Sequence, residues 1–262
     1  MRPLIALLTD FGLRDHYVGT MKGVILGICP DATLVDLAHE IPAHDVRDGA
    51  LQLAASYRYF PDGTIFLVVV DPGVGSSRRG LAAEAGEYRF IAPDNGVLTA
   101  VFRESPARKV VELTERRYAR PTVSRTFEGR DRFAPAAAWL AKGIKLPALG
   151  RPVSSWQTIE LPEAVVGEDA LTGCVMNIDR FGNLITNLDR RSFERFAQGG
   201  PVRILAGGHA VPRLVATYAE IPPEEVCALF GSTDHLELAA QGGSAASRLA
   251  LGRDAPVEVR RG

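Results

Sequence analysis

Cysteine is scarce in this chain: Cys29, Cys174 and Cys227 are the only three in 262 residues, widely separated and without a Cys-x-x-Cys pair. That excludes a disulfide framework and a cysteine-rich zinc module, and it fits a reducing compartment, the cytoplasm. Charge of one sign is lacking as well. Thirty Lys and Arg stand against 31 Asp and Glu, a net of −1, with no block of like charge. The clustered cations that grip a phosphate backbone are therefore missing, and nucleic acid is not an expected partner. Long apolar runs are also missing. The stretch from Ile65 to Val70 is among the longest, far short of the roughly 20 residues that cross a bilayer, so no membrane partner is expected. The opening Leu4 to Leu8 run resembles a signal sequence until Thr9-Asp10 interrupts it, and is read as a first strand. His16, His39, His44, His209 and His235 form no zinc-binding pair, and there is no Gly-x-Ser-x-Gly elbow, Walker loop or Gly-x-Gly-x-x-Gly fingerprint. Neither a fixed repeat nor a low-complexity tract is present.

What the chain does have is an ordinary globular composition, 46% hydrophobic and 23% charged, and a clear rhythm. Leu4 to Leu8 reads as a buried strand ending in polar residues. Val18, Met21, Ile25 and Ile28 recur at helical spacing over Tyr17 to Ile28, and Pro30-Asp31 closes that segment. Ala32 to Leu37 predicts a second strand, Val46 to Tyr57 a second helix, and the β-branched run Thr64 to Val70 a third strand. Alternation of this kind predicts an α/β domain, its largely parallel sheet flanked by helices and its sites beyond the strand carboxyl ends. Arg89 to Ala92 and a helix over Arg132 to Lys142 complete it. Pro147 to Pro162, rich in Pro and Gly, reads as a linker. Beyond it the short apolar runs Leu171 to Ile178, Leu184 to Leu188, Val202 to Leu205, Val226 to Phe230 and His235 to Leu238 predict a smaller all-β barrel or sandwich. The expected domains are 1–160 and 161–262.

Four stretches carry polar groups suited to chemistry. Asp10, in Thr9-Asp10-Phe11-Gly12, stands at a strand end, where a carboxylate accepts two hydroxyls of a ribose diol or else caps the following turn. In Asp71-Pro72-Gly73-Val74-Gly75-Ser76-Ser77-Arg78, two glycines permit close backbone approach and the seven-residue offset allows Arg78 to fold back beside Asp71; a tight turn with an exposed Arg is the plainer alternative. Thr126 to Pro135 is dense in charge, as a solvated face is, yet Phe127, Gly129 and Phe133 interrupt it. Asp179 through Asn187 sets a carboxylate, an aromatic and two amides about a hairpin turn, and an Asn amide matches the donor-acceptor edge of a purine.

Together with Ala92-Pro93-Asp94-Asn95-Gly96, these motifs, in this order over nearly the whole chain, resemble the S-adenosyl-L-methionine (SAM) hydroxide adenosyltransferases, hydrolytic relatives of the fluorinase and chlorinase. The resemblance implies an α/β N-terminal domain, a C-terminal β-barrel, and a homotrimer with each site between neighbouring subunits. It implies hydrolysis of SAM to adenosine and methionine by water attack at the 5′ carbon, without a metal or any cofactor beyond the substrate itself. Asp71 and Arg78 match two members of the family's Asp-Arg-His set, and Glu128 stands at the histidine position. Asp71 sets negative charge where a halide would sit, which disfavours a halogenase. Glu128 is expected to substitute for the histidine, with Arg78 neutralising it and Asp71. For binding, the resemblance implies Asp10 for the ribose diol with Phe11 beside it, Asn183 and the backbone near Gly242 for adenine, Tyr218 for stacking, and Asp179 for the methionine ammonium. It places His44 against the ribose, and Tyr17 and Ser232 near the methionine end. Two alternatives stay open: a trimer that binds adenosine or SAM without turnover, and adenosyl transfer to a nucleophile other than water.

Overall fold

The computed structural model describes residues 2–262, which form two compact units, one ending at Glu160 and the other Leu161–Gly262. The first begins with β1, Leu4–Thr9, whose residues after Leu4 are all buried. It continues through α1 (Tyr17–Ile28), β2 (Thr33–Ala38), α2 (Val46–Ser56), β3 (Ile65–Val69), β4 (Gly80–Ala85), β5 (Tyr88–Pro93), α3 (Thr99–Glu104), β6 (Ala107–Leu113), α4 (Ala134–Ala141) and β7 (Gly150–Pro152). The strands form one sheet in the order β2-β1-β3-β5-β4-β6-β7.

The sheet is mixed, and this corrects the expectation of a largely parallel one. β1 runs parallel to β2 and β3, and β3 parallel to β5. The β4–β5, β4–β6 and β6–β7 pairings are antiparallel. The physical reason lies at the β4–β5 hairpin: Ala85 pairs with Tyr88, leaving only Gly86 and Glu87 to turn the chain, too few for a crossover helix. β4 and β6 lack the continuous apolar runs that announce β1 and β3. β4 reads GLAAEA, and β6 opens on Ala107, Arg108 and Lys109.

Period-two alternation divides the sheet between two layers. Ile5, Leu7, Ile65, Leu67 and Val69 pack with Met21 and Ile25 of α1 and the alanine-rich α4. Phe66 and Phe90 stack at 5.3 Å on the other side, with Tyr57 edge-on to both. Two further expectations change. The helix predicted from Arg132 starts at Ala134, preceded by a π-helical turn over Gly129–Phe133. The predicted linker is partly structured, because its residues Gly150–Pro152 extend the sheet as β7.

The second unit contains β8 (Val165–Val166), β9 (Ala170–Ile178), β10 (Leu184–Asp189), α5 (Arg190–Ala197), β11 (Val202–Ala206), β12 (His209–Val211), β13 (Val226–Phe230), β14 (His235–Ala240), α6 (Ala245–Leu249) and β15 (Pro256–Arg261). Its strands follow the antiparallel order β12-β11-β15-β9-β10-β14-β13, with β8 beside β9. The sheet is nearly closed, since Ala228 of β13 bonds to Arg213 and Val215, just beyond β12. The unit is not all-β. Asp189 and Ser244 accept from the backbone amides of Ser192 and Ser247 and so start α5 and α6.

Candidate active site

The first unit's strongest candidate site is a cavity of about 290 Å³ lined by Asp10, Phe11, Tyr17, His44, Asp71, Phe127, Glu128 and Gly129 among others. Two parallel strands deliver two of its carboxylates: Asp10 follows β1 and Asp71 lies just past β3, the position where open α/β sheets present ligand-binding groups. The rings of Phe11, Tyr17 and Phe127 contact one another at 5.2–5.9 Å and make one apolar wall.

Arg78 does fold back onto Asp71. Its Nε donates to Asp71 Oδ1 at 2.8 Å and its Nη2 to Oδ2, a bidentate fork. The same Nη2 lies 2.5 Å from Glu128 Oε2, an ion pair without the alignment of a hydrogen bond. Glu128 Oε1 accepts from Arg132 Nη1 at 2.9 Å. The Asp71, Arg78 and Glu128 side chains are 5%, 9% and 12% exposed, so these charges interact with little screening. Burial is the largest influence on Arg78 and works against its charge, but the hydrogen bond and charge of Asp71 and the charge of Glu128 outweigh it and raise its pKa above the ordinary value. Arg78 therefore stays cationic. Two buried atoms here make no hydrogen bond: Arg78 Nη1, a donor, and Glu128 Oε2, an acceptor.

Local sequence explains the loop. Gly75 has φ +79°, and a Cβ there would collide with the Arg125 carbonyl oxygen, so the Asp71–Arg78 turn lies flush against the segment carrying Phe127 and Glu128. Asn95 Nδ2 donates to the Val70 carbonyl at 2.8 Å. Asp94 accepts from Arg79 Nε at 2.8 Å and from the Gln157 amide at 2.7 Å. The Pro93-Asp94-Asn95 motif thus braces the strand ends and stands behind the cavity.

Asp10 and His44 are held together by an unusual backbone. His44 has φ 67°, a left-handed conformation that costs a non-glycine residue energy, and its amide donates to Asp10 Oδ2 at 2.8 Å. Behind them, buried His39 joins Thr9 Oγ1 at 2.9 Å to Asp36 at 2.8 Å. The Asp36 carboxylate only accepts, so His39 Nε2 donates to it, and the Phe11 amide donates to the Thr9 oxygen.

The remaining candidates lie in the second unit. Asp179 Oδ1 accepts from the amides of Phe181 and Asn183 at 2.9 and 2.8 Å, and Oδ2 from Asn183 Nδ2 at 2.9 Å. Asp179 therefore builds the turn, and Asn183, 6% exposed, donates to it through both its backbone and its side-chain amide. Tyr218 OH donates to Glu237 Oε2 at 2.8 Å. Burial, then the Glu237 bond and charge, then Asp179 push the Tyr218 phenol up to about 12. Glu237 itself is 5% exposed. Burial raises its pKa, Asp179 adds to this, and the Tyr218 bond opposes it. Ser232 follows Gly231, where a Cβ would collide with the Glu237 carboxylate, and Gly242 turns the chain after β14 at φ +64°.

Sequence reasoning missed Arg132 and Glu237. The available signal for Glu237 was a carboxylate between Leu236 and Leu238 in an otherwise buried strand. For Arg132 it was the four-residue spacing to Glu128. Among the described residues, no group of three or more His, Cys, Asp or Glu could hold a metal ion, and no helix is long and apolar enough to cross a membrane.

The sequence matches the SAM hydroxide adenosyltransferase N-terminal domain over residues 5–150 and the C-terminal domain of the same family over residues 173–258. The chain belongs to the SAM hydroxide adenosyltransferase family. It is 39% identical to an (R)-S-adenosyl-L-methionine hydrolase of Thermus thermophilus, over 99% of this chain and 100% of that protein. A Salinispora tropica protein of the same name is 36% identical over 95% and 94%. Among solved structures, one from Thermotoga maritima superposes with a TM-score of 0.93 at 34% identity, covering 98% of this chain and all of that one. Within this family frame, the glutamate at 128 and the second arginine on it are the features of this chain that most need a chemical account.

Proposed function

We propose that this chain hydrolyses SAM to adenosine and L-methionine. The observation that carries the reading is the buried Asp71–Arg78–Glu128 cluster, whose two carboxylates line the cavity, in a chain whose near full-length relatives carry the name of that activity. The sulfonium is already a good leaving group, so the protein must hold water in line with the S–C5′ bond, remove its hydration shell and take one proton. Asp71 and Glu128 line the cavity and bring carboxylates to a water molecule at that point, while Arg78, paired to both, holds their charges in place. Water oxygen bonds to C5′ as the S–C5′ bond breaks, its electron pair leaves with methionine sulfur, and the proton passes to the carboxylate cluster. Asp71, Arg78 and Glu128 are the catalytic set of this proposal.

Asp10 receives the ribose hydroxyls through Oδ1, and Phe11, Tyr17 and His44 enclose the sugar and the methionine chain. Asn183, Tyr218, Gly242, Asp179 and Ser232 are assigned to adenine and the methionine end. A homotrimer and residence in the cytoplasm belong to the same proposal. No resident metal or cofactor is invoked.

A second reading, binding without turnover, draws on one observation: Glu128 is paired to two arginines, which weakens it as a base. Incubation with SAM separates the two. The hydrolase reading expects adenosine and methionine in equal amounts with one proton released, and loss of both products in Asp71→Asn. Retained SAM with saturable binding supports the second reading, and a nucleoside bearing another 5′ substituent points to a different nucleophile.

A further inference from the structure

Arg132 is the one charged group on the catalytic cluster that the proposed chemistry leaves idle. It lies four residues beyond Glu128, across the π-helical turn Gly129–Phe133, a distortion found often at functional sites. That turn brings three side chains to one place. Glu128 and Arg132 meet at 2.9 Å, and Phe133 turns its ring to the Arg78 guanidinium at 5.2 Å. The other prong of Arg132, Nη2, donates to the Leu113 carbonyl at the end of β6, at 2.8 Å. The guanidinium is thus fixed from two sides and 22% exposed.

Charge explains why such a group is there. Asp71 and Glu128 are two buried carboxylates, and Arg78 alone would leave the cluster with a net negative charge. Arg132 makes the count two against two. It also occupies Glu128 Oε1, so the carboxylate cannot rotate and Oε2 stays directed at Arg78. We propose that Arg132 is the positioning residue that allows a carboxylate to serve at position 128, and that residues 128 and 132 work as one unit. This rests on the hydrolase reading above.

The competing explanation is that Arg132 only ties the π-helical turn to Leu113, and a double-mutant cycle in stability and turnover decides between them. Arg132→Leu should lower kcat for SAM by on the order of 100-fold, the cost of a misplaced reacting group, while KM changes little. Arg132→Lys, which keeps the charge but not both prongs, should recover part of it. In the Glu128→Gln background, Arg132→Leu should have almost no further effect on kcat. Stability should change sign with the partner: Arg132→Leu lowers the midpoint of unfolding in the native background but raises it in Glu128→His, where the arginine lacks its counter-charge. If Arg132 merely ties the turn to Leu113, it lowers the midpoint equally in every background and leaves kcat of the folded protein unchanged, which overturns the proposal. Wild-type protein that releases no adenosine overturns the hydrolase reading and this proposal with it. An active wild type with additive effects overturns this proposal alone.

Discussion

Replacing Arg78 with leucine removes the cation from between two carboxylates whose side chains are 5% and 12% exposed. Breaking a buried ion pair by deleting one partner costs about 3–5 kcal/mol, because the surviving charge cannot regain its hydration. Here two carboxylates survive, and only Glu128 keeps another arginine. The loss should fall near the upper end, about 4–5 kcal/mol at pH 7. It should shrink on acidification, since bound protons then take the place of the guanidinium. Arg78→Lys, cationic but unable to form the fork on Asp71, should lose less than half as much. Denaturant unfolding followed by tryptophan fluorescence suits the test, because Trp139 and Trp156 both belong to the first unit. A loss below about 1 kcal/mol, the size expected of an exposed pair, or one that does not vary between pH 5 and 8, would refute the reasoning.

Other consequences follow from the same geometry. Asp10→Ala should weaken adenosine binding by roughly 30-fold, about 2 kcal/mol for hydrogen bonds to a charged group, as read by calorimetry. Glu237 has a raised pKa in the folded protein, so the folded state holds its proton longer than the unfolded chain does, and stability falls as pH rises above the ordinary carboxylate value; Glu237→Gln should flatten that slope in pH-resolved unfolding. Asp131 behaves in the opposite way. Burial, the largest influence, raises its pKa, but the Arg130 bond, the Ser124 amide and the charges of Arg130 and Arg120 together lower it. Its contribution is therefore intact at neutral pH and lost as pH drops below the ordinary aspartate value. Asp131→Asn should cost about 2 kcal/mol at pH 7 and progressively less as pH falls through the lowered pKa of Asp131, so acid unfolding curves of the two proteins should converge toward low pH.

The elements legible in the sequence were those whose pattern and burial agree. β1, β3, α1 and α2 carry continuous or helically spaced apolar residues, and each forms within a residue or so of its expected bounds. β4 and β6 were hidden because their burial comes from neighbours on both sides, which lets alanine and charged residues form strands. α5 was hidden by its polarity: only Phe193 and Phe196 of its eight residues are buried. The pairing of Arg78 with Asp71 could be anticipated, because a seven-residue glycine loop leaves the arginine few other places to go. The Arg132–Glu128 contact could not be separated from an ordinary exposed helical pair until the π-helical turn placed it beside Arg78. Glu237 needed tertiary context, since nothing local to β14 announces that Tyr218, 19 residues earlier, reaches its carboxylate.

The most direct test of the account is a single-turnover reaction with SAM in ¹⁸O-labelled water, followed by mass analysis of both products. Attack at C5′ predicts one ¹⁸O atom in adenosine and none in methionine, with the yield abolished in Asp71→Asn. Label in methionine, unlabelled adenosine, or a bound and unchanged substrate would contradict it.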